Sequence, residues 1–172
     1  KFIEFLTLLY LNQDRNIYSN AAEMTSMEQK IYSSAALLFI DVDDFKRVND
    51  TFGHMFGDDV LCYVAKQILG VFRHTDVVAR YGGDEFVVFA PSIQREILED
   101  RLQRLCGAFR FPYRGEAVEY KVSVTIGAAM YPDDGVGYEA LLEHADCALY
   151  EAKRRGKDQF VLYDASMKGK ES

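Results

Sequence analysis

Residues 76–91 read Asp-Val-Val-Ala-Arg-Tyr-Gly-Gly-Asp-Glu-Phe-Val-Val-Phe-Ala-Pro, and the fold turns on this stretch. Two apolar runs, Val77–Ala79 and Phe86–Ala90, flank Gly82-Gly83, and a glycine pair between strand-like runs signals a β-hairpin. Glycine reaches φ > 0 at little cost and leaves no side chain to bar a ligand from the tip. Asp84 and Glu85 follow at consecutive positions, so at most one of them faces a given site, because strand side chains alternate. Alone, such a pair reads as a solvated acidic turn. A second acidic strand end, Asp41-Val42-Asp43, changes the reading. It closes Ala35–Ile40, a continuous apolar run of the kind a central strand buried on both faces requires. Two acidic strand ends in one domain point to a shared cation site.

Outward from these strands the pattern becomes helical. From Asp58 to Phe72, Leu61, Val64, Ala65, Ile68, Leu69 and Phe72 recur at helical spacing. Gln94–Phe109 repeats the signal with Leu98, Leu102, Leu105 and Phe109, and Arg101 and Arg104 lie beside that stripe. Val118–Ile126 alternates apolar and polar residues, which predicts a half-buried strand, with Phe111–Arg114 as its pairing partner. Tyr138–Arg155 predicts a further helix closed by Gly156, and Asp158–Tyr163 a last strand. Residues 1–34 are weakly patterned, with Phe2, Leu6 and Leu9 on one possible helical face, and the tail from Asp164 is expected to fray. Interleaved strands and helices with one hairpin at the centre predict an α+β domain over residues 1–164, built on a mixed, largely antiparallel sheet with helices packed on it.

Composition narrows the function. The net charge of −7 argues against a nucleic-acid polymer as partner, which needs a basic footprint. It leaves a nucleotide site open, since a divalent cation reverses the local sign. Cys62, Cys106 and Cys147 show no metal-ligand spacing and read as buried reduced thiols, which fits a cytoplasmic location. The apolar opening Lys1–Leu11 is short and carries Glu4, so it is neither a membrane span nor a signal peptide. The first residue is Lys, which suggests a domain excised from a longer protein.

The chemistry concentrates in three places. Asp41 and Glu85, if they face each other at ~4 Å, repel by about 4 kcal/mol at an effective dielectric near 20. A divalent ion held by two carboxylates, a backbone carbonyl and phosphate oxygens removes that repulsion, as Mg²⁺ sites commonly do. The stretch Asp43–Asp58 then carries a short helical turn and a glycine-punctuated loop. Its free backbone N–H groups suit a phosphate, and Lys46 adds a point charge. Asn49 offers donor and acceptor and Asp58 accepts, a pair suited to the guanine edge. Asp58 also stands where a helix N-cap belongs, Asn49 suits a turn, and His54 reads as structural. Lys153 and Lys157 fall at a helix C-terminus, where they complement the dipole or hold an anion.

Taken together, these segments resemble the GGDEF family, the diguanylate cyclases. The resemblance rests on Arg80-Tyr81-Gly82-Gly83-Asp84-Glu85-Phe86, on Asp41–Asp50 and Gly53–Asp58, on Val124-Thr125-Ile126-Gly127, and on Ala145–Lys157, in the family's order and spacing. It implies a five-stranded, ferredoxin-like sheet of the nucleotide-cyclase palm type. It also implies condensation of two GTP into cyclic di-GMP with release of pyrophosphate, by two such domains face to face. By that analogy Asp41, the Val42 carbonyl and Glu85 hold Mg²⁺ or Mn²⁺, and Asp84 is a candidate general base beside Glu85. Asn49 and Asp58 read guanine, while Asp44, Phe45, Lys46, Lys153 and Lys157 complete the substrate site. Arg73-His74-Thr75-Asp76 is similar to the family's RxxD inhibitory site, in which Arg73 and Asp76 bind the product; the helix-capping reading of Arg73 and the turn reading of Asp76 stand beside it. A fused sensor domain is the expected controller.

The sequence departs from the family at its start. Where the family carries DxLTGLxNR, this chain reads Glu4-Phe5-Leu6-Thr7-Leu8-Leu9-Tyr10-Leu11-Asn12, with Leu8 for the glycine and no arginine. Lys157 stands in place of a common arginine, keeping charge but losing the bidentate fork. The departures keep a second reading open, a domain that binds cyclic di-GMP or GTP as a receptor without turnover.

Overall fold

The structure, a computed structural model, describes residues 33–110, 112–114 and 119–167. Its central strand is β1 (Ala35–Val42), buried at every position but Asp41. Antiparallel neighbours cover both its edges, β3 (Glu85–Pro91) on one side and β6 (Val124–Tyr131) on the other. The hairpin partner β2 (Val77–Gly82) takes the edge beyond β3. At the opposite edge β7 (Phe160–Leu162) runs parallel to β6, which makes the five-stranded sheet mixed, in the order β2-β3-β1-β6-β7. This is the palm-type α+β architecture that the resemblance implies.

Alternation along β1 divides the core into two layers. Ala36, Leu38, Ile40 and Val42 face α2 (His54–Val71) and α3 (Arg95–Ala108), packing with Val60, Val64, Ile68, Leu98, Leu102 and Leu105. Leu37 and Phe39 face α4 (Tyr138–Arg154), packing with Leu141, Ala145, Ala148 and Leu149. Asp41 continues the second set, so the strand end that carries it opens onto the α4 side. The short α1 (Phe45–Phe52) joins β1 to α2.

Gly127 sets how closely α4 approaches. It pairs with Phe39 across the sheet, and a Cβ there would overlap the Ala145 carbonyl and the Leu149 backbone. Helix backbone cannot step aside as a side-chain tip can. Gly127→Ala is therefore expected to destabilise the domain by about 3 kcal/mol, the upper end of the overpacking range. The check is the urea midpoint at unchanged slope; a loss under about 0.5 kcal/mol contradicts this account of the helix–sheet contact.

Several local expectations change. The helix predicted from Asp58 begins at His54 with Gly53 at its cap, so Asp58 lies inside α2 and caps nothing. Of the alternating stretch 118–126, the described residues 119–126 do not form one half-buried strand. Glu119-Tyr120 (β5) pairs with Tyr113-Arg114 (β4) in a separate two-stranded sheet, and β6 starts at Val124 and is buried on both faces. The break has a cause: Asp43 N–H donates to the Ser123 carbonyl (3.0 Å) and the Ser123 hydroxyl donates to Asp43 Oδ2 (2.7 Å), which turns the chain before β6. Ala165–Met167, expected to fray, forms a 3₁₀ turn whose Met167 packs against the α4-side core. Cys62, expected to be buried, is exposed; Cys106 is half-buried and Cys147 buried. Burial pushes the Cys106 thiol up to about 11. The helical face Phe2, Leu6, Leu9 and the divergent Glu4–Asn12 segment lie outside the described residues.

Candidate active site

The hairpin between β2 and β3 closes through Gly83 and Asp84, with Gly83 at φ 46. A two-residue hairpin turn needs positive φ at its first central position, and here that position is a glycine. Arg80 Nε donates to the Gly83 carbonyl at 2.8 Å and braces the turn. A Cβ added at Gly82 or Gly83 would meet nothing within 4 Å, so the tip is open to an incoming ligand.

Asp41 and Glu85 are direct cross-strand partners. The Val42 N–H donates to the Asp84 carbonyl at 3.2 Å, one residue outside that pair on each strand. Asp41 and Glu85 therefore form a non-hydrogen-bonded pair, the kind whose Cα atoms approach to about 4.5 Å with side chains closest. Burial, and after it Asp41 and Asp84, push the Glu85 carboxyl above its usual range, with Lys153 opposing. Asp41 is likewise raised, mainly by burial and more weakly by Asp84 and Asp43, against the Lys153 hydrogen bond. The cluster thus contains carboxylates that repel, are partly withdrawn from water, and gain from a nearby positive charge. At present that charge is Lys153, whose Nζ donates to Asp41 Oδ2 at 2.9 Å.

This donor set fits a hard divalent cation: two carboxylates at closest cross-strand register, beside a backbone segment at Val42. Among the described residues no group of three acidic, His or Cys side chains converges on one point, so a cation at this pair would have two carboxylates and the nearby backbone as protein donors.

The other predicted residues fall around this pair. Helix α1 opens at Asp44, whose backbone is left-handed (φ 55) and whose side chain caps nothing. The first-turn N–H groups, at Phe45 and Lys46, lie at the end of α1 that attracts anions. Asp44 Oδ1 instead accepts from Lys157 Nζ at 2.8 Å, and that ammonium holds the Asp44 carboxyl below its usual range. Lys46 is exposed, and Phe45 packs at the edge of the core. Asn49 is half-buried where α1 meets α2: its Oδ1 occupies the place a Cβ on Gly57 would need. Gly57 so brings Asn49 to the residue preceding Asp58, which is exposed. His54, the first residue of α2, is exposed as well.

Lys153 and Lys157 have specific partners beyond the helix dipole. Helix α4 ends in a Schellman arrangement, with Gly156 N–H donating to the Lys153 carbonyl and Lys157 N–H to the Ala152 carbonyl, each at 3.2 Å. Gly156, Lys157 and Asp158 follow one another at φ 114, 62 and 51. Two successive non-glycine residues in the left-handed region cost about 1–2 kcal/mol each, and such strain persists only where the surroundings hold it. They are held from Asp43, which is buried and makes no ion pair among the described residues. It accepts from the hydroxyls of Thr125 (2.6 Å, Oδ1) and Ser123 (2.7 Å, Oδ2) and from the Asp158 N–H (3.2 Å, Oδ2). No sequence signal separates Asp43 from Asp41; the alternating stretch 118–126 hid the roles of Ser123 and Thr125.

At the RxxD segment, Asp76 is buried rather than presented to solvent. Its Oδ2 accepts from Arg101 Nη1 at 2.7 Å and from the Arg73 N–H at 2.7 Å, and Arg101 also lies over the Phe72 ring. The Arg73 side chain is exposed. Arg101, which the helical stripe left to one side, is itself buried; Arg104 is exposed and pairs with Asp100.

The sheet is of the palm type, with paired carboxylates at an open glycine turn. The family described as "Diguanylate cyclase, GGDEF domain" matches residues 7–159, and the chain belongs to that family. Cyclic di-GMP phosphodiesterase PdeR of Escherichia coli is 38% identical over 135 residues, which are 78% of this chain and 20% of PdeR. Diguanylate cyclase DgcP of Pseudomonas aeruginosa is 40% identical over 130 residues, 73% of this chain and 19% of DgcP. The chain thus spans about a fifth of the length of these relatives. The crystal structure of the GGDEF domain of YfiN (TpbB) from P. aeruginosa superposes with a TM-score of 0.76 at 35% identity, covering 84% of this chain and 90% of that one. No helix among the described residues is long and apolar enough to cross a membrane.

Proposed function

We propose that this domain is one half of a diguanylate cyclase, holding one GTP and completing catalysis against a second domain that holds the other. The observation that carries this reading is the Asp41–Glu85 pair, set at closest cross-strand approach beside an open glycine turn. Asp41, Glu85 and the Val42 carbonyl hold Mg²⁺ or Mn²⁺, which when bound neutralises the polyphosphate and polarises the reacting α-phosphate. Lys153 and Lys157 exchange their carboxylate partners for phosphate oxygens, and the Lys46 side chain and the first-turn N–H groups at Phe45 and Lys46 add to that clamp. Asn49 and Asp58 read the guanine edge at the α1–α2 junction.

The reaction is an in-line displacement. The 3′-oxygen of one GTP forms a bond to the α-phosphorus of the other, the bond to the β-phosphate bridging oxygen breaks, and pyrophosphate leaves with the electron pair. The 3′-hydroxyl proton passes to Asp84 or to water. A second displacement in the opposite sense closes the ring, so two GTP give one cyclic di-GMP and two pyrophosphates. Most of the stabilisation comes from positioning and opposite charge.

A receptor without turnover draws its support from the similarity to PdeR, which is named for a different reaction. The two readings part on pyrophosphate release with GTP and MgCl₂ as the chain is concentrated or tethered as a dimer. A cyclase gives a rate per domain that climbs with concentration, and a product whose mass is that of cyclic di-GMP. GTP binding by the tethered dimer with no pyrophosphate released contradicts the proposal.

A further inference from the structure

We infer that Thr125 and Asp43 are positioning residues for nucleotide binding, acting through Lys157 rather than on the nucleotide. The inference rests on the phosphate role of Lys157 proposed above. The Asp158 N–H is shared between Thr125 Oγ1 (3.2 Å) and Asp43 Oδ2 (3.2 Å), and the Thr125 hydroxyl donates to Asp43 Oδ1 (2.6 Å). One hydroxyl thus accepts from the loop and donates to the carboxylate, closing a ring between β6, the end of β1 and the segment after α4. Both side chains are buried, with Thr125 at 0% exposure and Asp43 at 7%. Neither is open to a bound nucleotide as the metal pair is.

The ring fixes the two left-handed residues Lys157 and Asp158. The Gln159 carbonyl next to them accepts from the Ile126 N–H at 2.9 Å, extending the tie into the sheet. Lys157 is a flexible point charge on a loop that would relax if released, and a lysine lacks the fork that would orient it unaided. Its place opposite Asp44, at the start of α1, therefore depends on Asp158 being held. Thr125 faces Asp41 in the same register, so one short stretch of β6 supports both the carboxylate pair and the cation beside it.

The test is a double-mutant cycle on binding of α,β-methylene GTP, which cannot release pyrophosphate, in MgCl₂. Lys157→Met is expected to weaken binding about tenfold, as loss of one charge-assisted contact does. Thr125→Val, which keeps shape and removes the hydroxyl, is expected to weaken it about fivefold. The double variant is expected to match Lys157→Met within about twofold, because coupled residues do not add. Thr125→Ser restores wild-type affinity if the hydroxyl is what acts. A double variant that loses the product of the two factors, about fiftyfold, overturns the inference, as does failure of Thr125→Ser to restore binding. If Lys157→Met alone leaves affinity unchanged, the phosphate reading of Lys157 fails. The tie itself is then read by amide exchange at Asp158, expected to quicken at least about tenfold in Thr125→Val; unchanged protection there removes the tie too.

Discussion

Glu85→Gln is expected to cut pyrophosphate release at least about a thousandfold while making the metal-free domain slightly more stable at neutral pH. The loss corresponds to roughly 4 kcal/mol of transition-state stabilisation, the scale on which a metal or oxyanion partner acts. The gain follows from the same geometry. Asp41 and Glu85 both have folded-state values raised by burial and by neighbouring acids. A carboxyl raised in this way favours the fold while protonated, below its unfolded value, and that contribution is lost as pH rises through the folded value. At neutral pH the pair is therefore a liability, and removing one charge is expected to return about 0.2–1 kcal/mol. Added MgCl₂ should raise the melting temperature of the wild type at pH 7.5 but not that of Glu85→Gln, and its effect should fade in acid as protons displace it. A variant that loses both turnover and stability would mean that Glu85 holds the hairpin together instead of a cation.

Arg101→Met is expected to destabilise the domain by about 3–5 kcal/mol, the cost of leaving a buried carboxylate without its partner. The Asp76 side chain is 1% exposed and Arg101 is its cationic contact at 2.7 Å. Asp76→Asn in the Arg101→Met background should recover part of that loss, since it removes the stranded charge. The consequence reaches the proposed inhibitory site. Substituting Asp76 to probe product binding would confound affinity with folding, whereas Arg73→Ala should change stability by less than about 0.5 kcal/mol. Arg73 is exposed, and its structural bond to Asp76 comes from the backbone N–H, which alanine keeps. If Arg101→Met unfolds at the wild-type urea midpoint, the pair has no structural weight and Asp76 is available to a ligand.

How far the sequence foretold the site depends on the kind of signal each residue carries. The apolar run before Asp41 and the glycine pair before Glu85 specify two strands, and antiparallel register then aligns the acids that end them. Gly156 likewise announced the end of α4, because only one region of backbone space closes a Schellman motif comfortably. Three features stayed hidden. The 118–126 alternation matched a strand, yet bonds from Asp43, a residue 80 positions from Ser123 in sequence, divide it. Arg101 lies beside the apolar stripe of its helix, with nothing local to mark it as buried; Asp76, 25 residues away, is what buries it. Lys153 and Lys157 fitted the helix dipole so well that their carboxylate partners at Asp41 and Asp44, more than 110 residues away, could not be inferred. In each case the deciding partner is remote in sequence, and local periodicity holds no record of it.

The cation centre is tested most directly by anomalous diffraction from crystals of this domain grown with MnCl₂ and α,β-methylene GTP. The account predicts a manganese peak within ligand distance of both the Asp41 and Glu85 carboxylates, with Lys153 drawn away from Asp41. Bound nucleotide with no peak between those two side chains would contradict it.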